Sequence, residues 1–266
     1  MTSWESRLER IREAVEGWRG RLLAPDEVVP GSSLAADDRV YPALPCSQLA
    51  WWGLGVGVEH LDATMRLLEG QVAAGGPILP LANFTVLRAA LVGSCQAVTL
   101  LAAASRQDRT TTGLQIAHEE YRQELNFREK TLAHAGLVEA ARQAAERRDF
   151  IEGPRVRKAD VAQLLRARGA ELRLTDTNMI ERAAGFVHTS GDDSELMRLA
   201  VQMGWALGSG AAHGRLLMSM QRAGSFRDEA GGTMMFGARY EEIALEVTSV
   251  SLVLSQGWRY WDLRRS

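Results

Sequence analysis

Lysine is almost missing: Lys130 and Lys158 are the only two in 266 residues, against 29 arginines. Neither follows a glycine, so the chain has no GxxxxGK loop to cradle a nucleotide's phosphates. Cysteine is as scarce. Cys46 and Cys95 exclude a disulfide framework and a cysteine-built zinc site, and make a reducing cytoplasm the expected setting. None of His60, His118, His134, His188 and His213 has a glutamate three residues before it, so the Glu-x-x-His pairs of a di-iron bundle are absent, as are HExxH and the GxSxG nucleophile elbow. No metal or cofactor is therefore expected. An excess of charge is lacking too: 31 basic residues meet 33 acidic ones, for a net charge of -2. That balance argues against a chain whose main task is wrapping nucleic acid or coating an anionic membrane. The N-terminal segment turns charged at Glu5 and offers no apolar leader core.

Proline is absent after Pro154, and the earlier prolines cluster at positions 25–45 and 77–80. Because proline breaks helix interiors, these clusters mark connections and the remainder is free to run as long helices. Trp4, Leu8, Ile11, Val15, Trp18 and Leu22 alternate at four- and three-residue spacings, with Thr2 and Glu5 placed as a capping box. That pattern predicts one amphipathic helix, followed by a Pro/Gly/Ser/Asp-rich connection to residue 45. A second helix is expected over 46–70, and a third over 81–104. The third holds sixteen uncharged residues from Ala89 to Ala104, short of the ~20 a membrane span requires, and reads as a buried central helix. Further helices are expected from Thr111 to about Arg148, near 158–168 and 177–188, from Asp192 through Met220, and over 238–262, with a mobile loop at Ser225–Thr233. No alternating strand pattern appears. The expected architecture is all-α: an N-terminal helix with its connection over 1–45, then a single bundle-like domain over 46–266, seven or eight helices in total.

Chemistry must then come from polar residues set in apolar helices. Arg88 interrupts Phe84-Thr85-Val86-Leu87-Arg88-Ala89-Ala90-Leu91, where a guanidinium must find carboxylate, carbonyl or ligand oxygens. A salt bridge is the ordinary outcome, and an anion-reading pocket residue the functional one. Arg106 and Arg109 sit in a turn that is ordinarily solvated but has the charge to hold an anion. His118 falls on the apolar stripe between Leu114 and Tyr121, where histidines are usually packed in the core, the functional alternative being a ligand contact. Trp205, Ser209 and His213 repeat every four residues, so they share a helix face on which Ser209 and His213 can hydrogen-bond, His213 being ordinarily a core or interface histidine and in the functional reading a general base or, with Ser209, a ligand contact. The small residues Gly208-Ser209-Gly210-Ala211-Ala212 around them permit close approach of a neighbouring backbone, in the core or across a homodimer.

At Thr85-Val86-Leu87-Arg88-Ala89-Ala90-Leu91, continuing through Leu100-Leu101 to Arg106 and Arg109, and again at Ser209-Gly210-Ala211-Ala212-His213-Gly214, the chain resembles an uncharacterised bacterial all-α family associated with the HEPN superfamily. The resemblance spans residues 80–222. It implies a helical, nucleotide-binding fold with metal-independent ribonucleases among its members. Those ribonucleases share an arginine followed four to six residues later by histidine, which Arg128 with His134 and Arg182 with His188 both match. Such spacing also arises by chance in so arginine-rich a chain. Where the family pattern has glutamate after the final leucine this chain has Val92, so a carboxylate that might partner a neighbouring base is missing.

A third feature is the basic run from Arg142 to Arg173, whose expected helices near 158–168 and 177–188 resemble a helix-turn-helix with an overlong connection. The reading favoured by the residues is a cytoplasmic, non-metal, all-α protein that binds a small ligand or protein partner, with a possible homodimer through the helix carrying His213. A HEPN-like ribonuclease using His134 with Arg128 or His188 with Arg182, and a helix-turn-helix DNA binder, are the alternatives.

Overall fold

The computed structural model describes residues 3–75, 78–134, 143, 149–187, 194–222, 224–227, 234–235 and 237–266. Ten helices run through them: α1 (Ser3–Leu23), α2 (Ser33–Asp38), α3 (Cys46–Ala73), α4 (Pro80–Ala102), α5 (Arg106–Ala133), α6 (Asp149–Ala167), α7 (Asp176–Gly185), α8 (Ser194–Ala212), α9 (Leu216–Ser219) and α10 (Tyr240–Arg265). The protein is all-α. Beyond the helices, Phe226–Arg227 pairs antiparallel with Met234–Met235.

Helix α4 organises the rest. From Gly93 to Ala102 every residue except Gln96 is buried, so this half of the helix is buried on every side rather than on one stripe and needs cover all round. That cover comes from α3, α10, α8 and α7. Among the described residues α4 alone has the length and composition to cross a membrane, more than its sixteen-residue uncharged stretch indicates, and most of it is buried within the protein. Small residues set the α3–α4 distance: a Cβ on Gly53 would lie 2.7 Å from the Gly93 carbonyl oxygen, and one on Gly57 2.6 Å from the Ser94 hydroxyl. Helix α10 closes the other flank, where Trp51 of α3 meets Trp258 edge-on at 5.6 Å and Trp261 at 4.9 Å between ring centroids.

Several boundaries differ from the sequence expectation. The connection before α3 holds the short helix α2, whose N-cap hydroxyl, Ser32 Oγ, accepts from the Ala35 N–H. Pro154 lies inside α6 rather than in a connection, and α6 begins at Asp149 instead of near 158. The long helix expected from Asp192 to Met220 breaks at Gly214, whose φ of 61° takes the left-handed form, while the Arg215 N–H reaches back to the Gly210 carbonyl. Thr2 of the expected capping box lies outside the described residues.

The close α3–α4 approach predicts opposite outcomes for two glycine substitutions. Gly93→Ala forces overpacking against Gly53 and Val56 and should lower unfolding free energy by about 1–3 kcal/mol. Gly17→Ala, on α1 with nothing within 4 Å of the new methyl, should raise it by about 0.5–1 kcal/mol. Denaturant titration of both variants reads the two signs.

A polar cleft between α5 and α7

The C-terminal end of α4 explains several arginines first. Arg264 donates from Nε to the Leu101 carbonyl at 3.1 Å and from Nη2 to that of Ala103 at 3.2 Å. Arg109 donates from Nη1 to the Ala103 and Ala104 carbonyls at 3.2 and 3.1 Å. Cations here satisfy carbonyls that a helix end leaves open and complement its dipole. Arg109 also pairs with Asp37, at 2.7 Å through Nε and 3.2 Å through Nη2, and both residues are buried. Arg106 lies 3.5 Å from the same carboxylate and donates to the Ala36 carbonyl. Arg106 and Arg109, expected in a solvated turn able to hold an anion, thus take the Asp37 carboxylate as their anion and tie α2 to the α4–α5 turn.

The other expected site residues divide similarly. Arg88 reaches sideways, 3.6 Å from Asp176 and 4.6 Å above the Trp205 ring, which is the salt-bridge outcome. His118 is packed in the core, and burial, more than nearby Lys158, pushes its pKa below the ordinary imidazole value and keeps the ring neutral. The hydrogen bond expected between the Ser209 and His213 side chains is absent. His213 is exposed just past the end of α8, and its backbone N–H bonds the Ser209 carbonyl. The small residues near it pack inside the chain, since Cβ atoms on Gly208 and Gly210 would meet Arg88 and Met218 at 2.9 and 2.5 Å. Arg128 is engaged by Glu124, by the Phe150 carbonyl at 2.7 Å and by the Phe150 ring. His134 ends α5 with Nδ1 2.9 Å from the Lys130 carbonyl oxygen, and His188 lies outside the described residues.

Arg182 has a different setting. It is exposed, makes no ion pair or hydrogen bond among the described residues, and borders a cleft of about 520 Å³ between α5 and α7. Thr99 closes the α4 end of this cleft and donates to the Met179 carbonyl at 3.1 Å, which fixes α7 to the core helix. Across from Arg182 stand Asp108, Thr112 and Gln115 of α5. Asp108 Oδ2 accepts from the Ser105 hydroxyl at 2.7 Å as part of the α5 N-cap, leaving Oδ1. Gln115 donates its amide to the Glu171 carbonyl at 2.9 Å and keeps its own carbonyl oxygen unpaired. Thr112 is 95% buried, yet its hydroxyl makes no hydrogen bond, unlike that of Thr110, which donates to the Arg106 carbonyl. Arg168 holds the Thr110 and Thr111 hydroxyls at 2.8 and 3.1 Å, and the Phe186 ring supplies an aromatic wall. The cleft thus offers a free guanidinium, a carboxylate oxygen and unpaired neutral groups around one cavity, the pattern of a small-molecule site.

Two buried charged residues were not visible in the sequence. Arg222 stacks 4.6 Å over Phe84 and donates to the Leu207 carbonyl at 3.2 Å, with Nε and Nη1 unpaired. Burial lowers its pKa against the opposing pull of Glu242. Glu246 is buried where α10 meets α8, and a Cβ on Gly204 would overlap its carboxyl. No cation offsets that burial, which pushes the Glu246 pKa up to about 8.

No family model matches this chain, and no curated protein or solved structure matches it, so the reading of the site rests on its geometry.

Glu246 gives a pH signature. Between the ordinary carboxylate range and about pH 8 the folded protein holds a proton that the unfolded chain has released, so stability falls as pH rises through that window. Glu246→Gln should flatten this fall and melt above the native protein at pH 8. Parallel melting curves for the two proteins from pH 5 to pH 9 would remove the assignment.

Proposed function

We propose that this is a cytoplasmic binding protein that holds a small anionic molecule in the α5–α7 cleft. The observation that carries the reading is the Arg182 guanidinium, unpaired among the described residues, at the edge of a cavity whose opposite wall holds the Thr112 hydroxyl, which makes no hydrogen bond within the chain. That hydroxyl faces the cleft without a protein partner, so a ligand oxygen or N–H can hydrogen-bond it there. Arg182 would read the anionic group in a bidentate, charge-assisted contact. Asp108 Oδ1 and the Gln115 carbonyl oxygen would accept from N–H or O–H groups elsewhere on the ligand, and Phe186 would cover a flat apolar part.

The surroundings of the alternative sites favour this reading over the other two. A ribonuclease needs arginine and histidine free to meet over one phosphate; of the two expected pairs, Arg128 has its donors spent on Glu124 and Phe150 and His134 turns back to its own helix, while His188, the partner of Arg182, lies outside the described residues. A DNA-reading α7 needs a basic outer face, but its exposed charges are Asp176, Glu181 and Arg182. Three of the six basic residues of α6 and the following connection face glutamates of α5, Arg155 near Glu129, Arg157 near Glu124 and Arg173 near Glu119, and Arg168 holds threonine hydroxyls.

The test is calorimetric titration with adenosine monophosphate and with inorganic phosphate, preceded by native mass spectrometry of gently purified protein for a retained ligand. Arg182→Ala should weaken anion binding by about tenfold or more, the equivalent of one charge-assisted contact at about 1.5–3 kcal/mol. Thr112→Val should weaken it less and leave the fold intact. Binding unchanged in Arg182→Ala, or no anion bound and none retained, would discard the cleft as the site.

A further inference from the structure

Helix α8 packs into the protein through Val201, Gly204 and Gly208 while turning Leu196, Leu199 and Met203 to solvent at 64, 50 and 53% exposure. Their spacing of three and four residues makes one apolar stripe along the helix. A stripe of this kind normally lies against something. Two grooves flank it. One, of about 540 Å³, runs between α8 and α1 over α10, with Arg7 and Arg10 on its α1 side. The other, of about 600 Å³, runs between α8 and α7, with Glu181 and Glu195 on its rim. Leu196 borders both and forms the crest between them. Glu195 is 3.6 Å from Arg198 and Arg7 lies against the Trp4 ring, but Arg10 and Glu181 have no ion-pair partner among the described residues.

An apolar ridge with a basic groove on one side and an acidic groove on the other can meet a second copy of itself. A twofold axis running along α8 lays the α1 side of one copy over the α7 side of the other, so the basic groove receives the acidic edge twice. A twofold axis across α8 in the plane of the face would instead place Arg7 and Arg10 over their own copies, which repulsion disfavours. The nineteen residues of α8 make a face about 28 Å long, and three adjacent helices make it about 20 Å broad, so it offers about 560 Å² per partner, the size of a small interface beside the roughly 800 Å² of a standard one.

We infer that the chain forms a twofold homodimer through this face, with the α8 stripes in contact and Arg10 of each copy opposite Glu181 of the other. The interface does not use the small residues around His213, which pack within the chain, and it does not depend on ligand in the α5–α7 cleft.

Sedimentation velocity over a concentration series tests this on the full chain. The native protein should run as a dimer. Arg10→Glu and Glu181→Arg should each raise the dimer dissociation constant at least tenfold, and the double variant carrying both should recover the dimer. Leu199→Glu, on an exposed position that leaves the core untouched, should give a monomer with an unchanged far-ultraviolet circular dichroism spectrum. A native protein that is monomeric throughout, a dimer indifferent to Leu199→Glu, or single charge reversals that the double variant does not rescue would each overturn the inference. Arg182→Ala should leave the dimer unchanged, which separates this interface from the ligand site.

Discussion

A helix that is apolar on every side cannot stay at a surface, and α4 imposes that condition on the whole chain. Its neighbours must come close, and the chain supplies glycine, serine and alanine where they do: Gly53 and Gly57 of α3 against Gly93 and Ser94, and Gly208 of α8 against Phe84 and Arg88. Close approach gains dispersion contacts that longer side chains would hold apart. Burial of α4 also buries its end, where the last carbonyls have no further helical turn to accept bonds. Arg109 and Arg264 meet that need, and Asp37 neutralises Arg109 in turn. The α4–α5 turn is arginine-rich because a buried helix ends there.

This arrangement also makes room for the cleft. Thr99, buried near the end of α4, reaches the cleft, and the first turns of α5 carry Asp108, Thr112 and Gln115 to it from the arginine knot. The α6–α7 connection crosses above and is held by the bond from Gln115 to the Glu171 carbonyl. The cleft floor is thus fixed by core contacts, whereas Arg182 stands on α7, a ten-residue helix at the edge of the bundle. Rigid acceptors opposite a longer, freely rotating cation suit capture of a small ligand.

Most of the fold was legible because helices declare themselves locally. The spacing from Trp4 to Leu22 fixed α1, and the uncharged run after Arg88 marked a central helix. The breaks were harder: Gly214 ends α8 through its left-handed φ, whereas Pro154, a residue that usually interrupts, sits inside α6. The site was legible only in pieces. Arg182 was reached through a spacing shared with a ribonuclease motif, but the cavity it borders depends on helices far apart in sequence. Thr112 looks like one more threonine in Thr110-Thr111-Thr112, and only packing shows that its hydroxyl lacks the bond that Thr110 makes. Glu246 and Arg222 escaped for the same reason, since a charged residue in a mixed helix or turn reads as exposed until its neighbours are known.

With 29 arginines the chain cannot be read by asking which arginine is notable, because the guanidinium is its general-purpose cation. Subtraction is more informative. Arg21 is held by Asp26 and Asp262, Arg109 by Asp37, Arg122 by Glu119, Arg128 by Glu124 and Arg168 by threonine hydroxyls, while Arg264 caps a helix. Each of these has an intramolecular reason to be where it is. Arg182 and Arg10 have none among the described residues, and each borders a cavity. An unpaired cation at a concave surface costs little while water solvates it and gains most when an anion replaces that water. Arg182 and Arg10, unpaired and set at concave surfaces, therefore mark surfaces where this protein has much to gain from meeting something outside itself.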